Sequence, residues 1–301
     1  WENAEGELTR EGFERFLNHL RTILVKDKAR SGLVGEFTQK IYATQKLHLG
    51  QDTFKLIEEY LDIYNTLLDD VRSYDRFGNH EFGNLMNVML KGLLGTDWIP
   101  PLLCYFKHFG YGDGVILDFL KKLDIKYSAD WIGRRSPTDR IMAMIEVIKV
   151  IEAAKNVEEV INSKCFDIDA GSFIDEIKGP IYGKRFARYL LLKLDHLYND
   201  KYLRLNVENL SVEHILPQTP ANGSGWVTNF SQEERDEWTH RVGNLVLITG
   251  SKNRELGRKD YKEKVETYFK ERIDTIPLTL HVLNHNRDEW TPTKLKENHQ
   301  A

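Results

Sequence analysis

Leu210-Ser211-Val212-Glu213-His214-Ile215-Leu216-Pro217 and, further on, Gly243-Asn244-Leu245-Val246-Leu247-Ile248-Thr249 are the two stretches on which the reading of this chain turns. The first predicts a strand that breaks into a turn, because Pro217 cannot donate to a sheet ladder. The second predicts another short strand, ended by Gly250-Ser251. Between them lies a polar loop containing Gly223 and Gly225. Lys252 to Lys270 is helix-compatible, with Ser251 as its cap and Tyr261, Val265, Tyr268 and Phe269 on its inner face.

Upstream, the pattern is helical. Phe13, Phe16, Leu17, Leu20, Ile23 and Leu24 recur at the three-and-four spacing of an amphipathic helix. Phe54, Ile57, Leu61, Tyr64, Leu67 and Leu68 repeat it, as do Ile141, Met144, Ile145, Ile148 and Ile151. Asp52 before Thr53 and Ser136 before Pro137 read as helix starts. Gly78, Gly83, Gly92, Gly95 and Pro100-Pro101 punctuate the middle, and Ser163 to Gly179 reads as a connector. An amphipathic helix is expected from about Lys184 to Leu197, with Phe186, Tyr189, Leu190 and Leu194 on one side. The expected fold is mainly α: a helical domain over 1–165, the middle of a longer protein, then an α+β domain over 166–301. Strand, loop, strand, helix is the order of the ββα-metal core, and it falls in this second domain.

Composition narrows the function classes. In 301 residues, 41% are hydrophobic and 29% charged, as in a globular protein able to bury a core. No apolar run reaches membrane-spanning length. The chain opens on Trp1 with no signal-like segment, which predicts a piece of a longer cytoplasmic protein. Cys104 and Cys165 each stand alone, so a paired-cysteine zinc knuckle is excluded and both are expected as small core hydrophobes. The net charge of −4 does not advertise nucleic-acid binding. Local charge matters more. Six Lys/Arg face two acids from Lys184 to Arg204, and six face three from Lys252 to Lys264.

The chemistry sits between those basic stretches. Hydrolysing a phosphodiester needs a base to activate water, positive charge on the phosphate, and support for the leaving oxygen. His214 is the candidate base and Glu213 the candidate metal-binding acid. Asn253 offers an amide oxygen as second ligand, and Asn244 can fix the loop after the first strand. Mg²⁺, or Mn²⁺ in its place, suits such a site because it prefers oxygen and keeps several waters. Neighbours in a strand face opposite ways, so Glu213 and His214 can share an ion only where the strand breaks.

Glu213-His214-Ile215-Leu216-Pro217-Gln218, then Gly243-Asn244-Leu245, Asn253, Tyr261 and Lys264, resemble the C-terminal domain of GmrSD-type modification-dependent restriction proteins. The signature is similar to that of the wider HNH superfamily, including the HNH domain of RNA-guided CRISPR nucleases. Arg185-Phe186-Ala187-Arg188-Tyr189-Leu190-Leu191 and Trp290 extend the resemblance over most of 180–295. It implies Glu213 and Asn253 as metal ligands, His214 as general base and Asn244 as the loop-fixing residue. Lys264, Lys262, Arg185 and Arg188 are the candidate DNA contacts, and His240, just before Gly-Asn-Leu, is a further candidate. The last ligand is Asn rather than the eponymous His.

The resemblance implies a metal-dependent endonuclease, the effector half of a bacterial restriction or anti-phage system. Its partners would be modified phage or foreign DNA and an N-terminal nucleotide-hydrolysing sensor domain of the same protein. Two alternatives stand beside it: a non-catalytic DNA- or partner-binding module, and an HNH nuclease directed at RNA.

Overall fold

The computed structural model describes residues 2–68, 79–111, 115–205, 208–250, 256–270 and 276–301. Among them the chain is mainly helical, with one small sheet of two strands. It divides into two compact units, each drawn from two stretches of chain: residues 1–78 with 95–169, and residues 79–94 with 170–301. The segment 79–94, expected in the first domain, clusters with the second unit. No helix among the described residues is long and apolar enough to cross a membrane.

The first unit holds α1 (Glu2–Val25, broken at Thr9), α2 (Leu33–Glu36), α3 (Gln51–Leu68), α5 (Ile99–Phe109), α6 (Ile116–Ile132), α7 (Pro137–Ala153) and α8 (Val157–Ile161). The spaced apolar residues of α1 and α7 meet here: Phe16, Leu20, Met144, Ile145, Ile148 and Ile151 are all buried. The Tyr105 ring stacks on Phe119 at 4.2 Å, and Phe16 meets Tyr64 edge-on at 5.2 Å. Ser136 caps α7 by accepting from the Asp139 amide at 3.1 Å, and Pro137 follows at the first turn. Cys104 is buried, Cys165 is partly buried, and both are free thiols.

Some expectations needed correction. Pro100 and Pro101 open α5 rather than interrupt the chain, since the first helical turn has amides to spare. Phe54, expected inside, is 49% exposed. The connector 163–179 is largely helical: a 3₁₀ turn at Lys164–Phe166 and α9 (Ala170–Lys178) fill it.

The second unit is built around α10 (Ala187–Tyr198). On it pack α4 (Glu81–Gly92), β2 (Leu245–Thr249) and α14 (Pro277–His285). β1 (Leu210–His214) runs antiparallel to β2, with Val212 opposite Leu247 and His214 opposite Leu245. β2 is apolar and almost wholly buried because helices cover it, so it lacks the alternation of a half-exposed strand. The polar loop between the strands contains α11 (Gly225–Asn229) and α12 (Gln232–Trp238). Ser231 and Glu234 form a reciprocal capping box at the start of α12. Behind the hairpin lie α13 (Tyr261–Lys270) and α15 (Pro292–Gln300). Asn284 and His285 close α14, with Asn286 just beyond its end.

Candidate functional site

β1 ends at His214, and the chain turns there because Asn244 captures the backbone of Ile215 and Leu216. The Ile215 amide donates to the Asn244 carbonyl at 3.0 Å, prolonging the ladder by one step. The Asn244 side chain, fully buried, accepts from the Leu216 amide at 2.8 Å. It donates to the Leu216 and Thr239 carbonyls, each at 2.9 Å. One carboxamide thus satisfies three backbone groups and ties the loop after β1 to the loop before β2.

Gly243 has its own reason to be there. A Cβ at this position would stand 2.6 Å from the His299 Cβ and 2.7 Å from its Cα, so α15 can pass only over a glycine. Asn298 completes the contact by donating to the Gly243 carbonyl at 2.7 Å.

The His214 ring is enclosed. Its Nε2 lies 3.3 Å from His240 Nδ1, and its Nδ1 lies 3.4 Å from the Gln218 amide nitrogen. The Tyr182 ring meets it edge-on at 4.3 Å and stacks on His240 at 5.4 Å. The backbone fixes this grouping: the Ile181 and Tyr182 amides donate to the His240 carbonyl at 2.8 and 3.1 Å. Pro180 bridges Arg241 beside them. His214 is 5% exposed. Burial, then the nearby His240 and Lys264, lower its pKa to about 4. The imidazole is therefore neutral near pH 7.

Glu213 turns the other way, as strand alternation requires. Its Oε1 accepts from the Lys264 ammonium at 2.7 Å, and the same ammonium donates to the His214 carbonyl at 2.7 Å. Lys264 is 4% exposed. Burial pulls its pKa below the usual lysine value, against the opposing pull of Glu213. The pair borders a small cavity whose lining includes Ile215, Val246, Tyr261, Tyr268 and Leu283.

The predicted residues thus do not form one cluster: His214 and His240 meet on one side of the end of β1, Glu213 and Lys264 pair on the other, and Asn244 holds the turn that follows. Lys264 is buried in an internal ion pair rather than offered to solvent, and Arg188 donates to the Leu210 carbonyl at the start of β1. Lys262 and Arg185 are exposed. Asn253 lies outside the described residues, as does Ser251. Tyr182 and Gln218 carry no role in the sequence pattern. Gln218 stands inside the motif, whereas nothing near Tyr182 signals that its ring reaches the histidines.

Among the described residues, no three His, Cys, Asp or Glu side chains stand together to hold a metal ion. The donor chemistry nonetheless suits a hard cation. The Glu213 carboxylate and the His214 carbonyl already receive the positive charge of Lys264, and the second oxygen of Glu213 makes no hydrogen bond among the described residues. A magnesium site needs no more than one or two carboxylates, with waters and phosphate completing it.

Residues 172–301 match the family model of the GmrSD restriction endonucleases, C-terminal domain. The GmrSD match contains β1, β2 and every residue packed about His214 and Glu213. It leaves out the segment 79–94 that packs on α10. No curated protein and no solved structure matches the chain.

Proposed function

We propose that this chain is an endonuclease of the ββα-metal (HNH) type that cuts DNA. One observation carries the reading: a buried, neutral histidine ends β1 against His240 and Tyr182, its loop stapled by Asn244, inside a segment similar to restriction endonucleases. An unprotonated imidazole can take a proton from water, and the buried setting keeps it unprotonated near neutral pH.

His214 serves as base only if one ring nitrogen keeps its lone pair. Gln218, turned so that its carboxamide oxygen faces Nδ1, accepts the Nδ1 proton and fixes that tautomer. Nε2, on the His240 side, then receives the proton of the attacking water. Asn244 holds the turn so that the ring is already in place, which avoids reorganisation during the reaction. Glu213 and Asn253 would hold Mg²⁺ or Mn²⁺. The ion supplies positive charge against the scissile phosphate and the leaving oxygen. Lys262 and Arg185, both exposed, are assigned to the DNA backbone.

Within a longer protein this chain would be the effector half of a restriction or anti-phage system. A nucleotide-hydrolysing sensor would select modified or foreign DNA. The test is nicking of supercoiled plasmid in Mg²⁺ by the wild type and by His214→Ala, with chelator as control. Equal activity in the two proteins would refute the assignment.

A second reading draws on the Lys264–Glu213 pair, which already neutralises the candidate metal ligand. In that reading the domain grips DNA without cutting it. Mn²⁺ titration separates the two, because a module without catalysis neither binds the ion nor nicks in its presence.

A further inference from the structure

Tyr182 is held against the candidate base without any evident structural need for its hydroxyl. Its ring is fixed on two sides, edge-on to His214 at 4.3 Å and stacked on His240 at 5.4 Å. Its backbone is fixed as well. The Tyr182 amide donates to the His240 carbonyl at 3.1 Å, and Gly183, with φ of 82°, turns the chain away immediately after it. Immobilising an aromatic ring costs rotamer entropy that burial normally offsets. Here the residue remains 41% exposed while the histidine it covers is only 5% exposed. The hydroxyl makes no hydrogen bond among the described residues. A rigid, half-exposed phenol beside a buried imidazole presents a neutral hydrogen-bond donor at the mouth of the site.

We propose that Tyr182 is a substrate-contacting residue whose hydroxyl donates to a non-bridging oxygen of the scissile phosphate, setting that phosphate against His214. The inference rests on the endonuclease reading and adds to it a named phosphate ligand from outside the motif. The chemistry suits the place. Phosphate oxygens take hydrogen bonds from neutral side chains as readily as from cations, and such contacts position the backbone without reading sequence. A donor carried on a packed ring also reaches its acceptor with little further loss of freedom.

Tyr182→Phe is the decisive variant because it keeps the ring, both aromatic contacts and the backbone bonds, and removes one oxygen. Single-turnover nicking of plasmid DNA by the 301-residue chain in Mg²⁺ should fall on the order of ten- to hundred-fold, the loss expected for a hydrogen bond to a charged group. The thermal midpoint should stay within about a degree. Placing 4-aminophenylalanine at position 182, which restores a donor on the same ring, should recover most of the rate. If Tyr182 only shields His214, Tyr182→Phe will nick like the wild type, and that result overturns the inference. A Phe-level rate with 4-aminophenylalanine also overturns it. Failure of the underlying reading is distinct: a wild type that does not nick, or nicks independently of His214, overturns both.

Discussion

At the scale of single residues, the buried groups predict the largest effects. Asn244 satisfies the Leu216 amide and the carbonyls of Leu216 and Thr239 from a position with no exposure. Asn244→Ala orphans three backbone groups and should destabilise the protein by on the order of 3 kcal/mol in urea unfolding. Removing Lys264 is comparable in kind. Lys264→Met leaves the Glu213 carboxylate buried without its partner, and about 3–5 kcal/mol should be lost. Adding Glu213→Gln to Lys264→Met should return a large part of that loss, because the uncompensated charge goes with it. A double-mutant cycle in urea measures the coupling, and additivity would show that the pair does not interact. Lys264 also shows where sequence reading stops. A lysine late in an amphipathic helix looks like a phosphate contact, yet α13 turns it inward between two oxygens of β1.

Elements were legible where periodicity was strong and blurred where tertiary contact decides. The apolar spacing of α1 and α7, the Ser136 cap and both strands could be read directly, because each is a local pattern. The helices α11 and α12 were hidden in what reads as a polar loop, since their turns are short and their caps local. The motif brought Glu213, His214 and Asn244 into view. Tyr182 joins them through the pairing of residues 180–182 with His240 and Arg241, a long-range contact without a sequence signature. Gly243 stood within the motif, but its reason lies in the approach of α15. Gly243→Ala should detach or displace α15, seen as faster amide exchange at residues 292–300. The start of α14 is tied to α10 by Asp195, whose Oδ1 accepts from the Leu278 amide at 2.8 Å. Burial, outweighing that hydrogen bond, pushes the Asp195 pKa up to about 7. The folded state therefore retains a proton that the unfolded state, with a pKa near 3.9, releases. Stability from this group is full below about pH 4 and is lost as pH rises through 7. Asp195→Asn should raise the unfolding midpoint at pH 8, and the gain should shrink toward pH 5.

At the scale of the whole molecule, the second unit is discontinuous in sequence. α4 lays Phe82, Leu85, Met86, Val88 and Met89 into buried positions and packs on α10. Asn84 closes the junction, donating to the Leu203 carbonyl at 2.9 Å and accepting from the Leu205 amide at 2.9 Å. Residues 170–301 expressed alone should lose cooperative unfolding, although they contain the whole family match. A fusion that restores residues 79–94 should regain it. A sharp, reversible melt from 170–301 by itself would contradict this.

The split has a consequence for synthesis in the cell. A ribosome releases α4 about a hundred residues before α10, a wait of roughly 5–20 s at ordinary elongation rates. For that interval an apolar helix has no partner, which makes the nascent chain a client for holding chaperones. Codon changes that slow translation between residues 95 and 186 should lower the yield of soluble protein without altering a single amino acid.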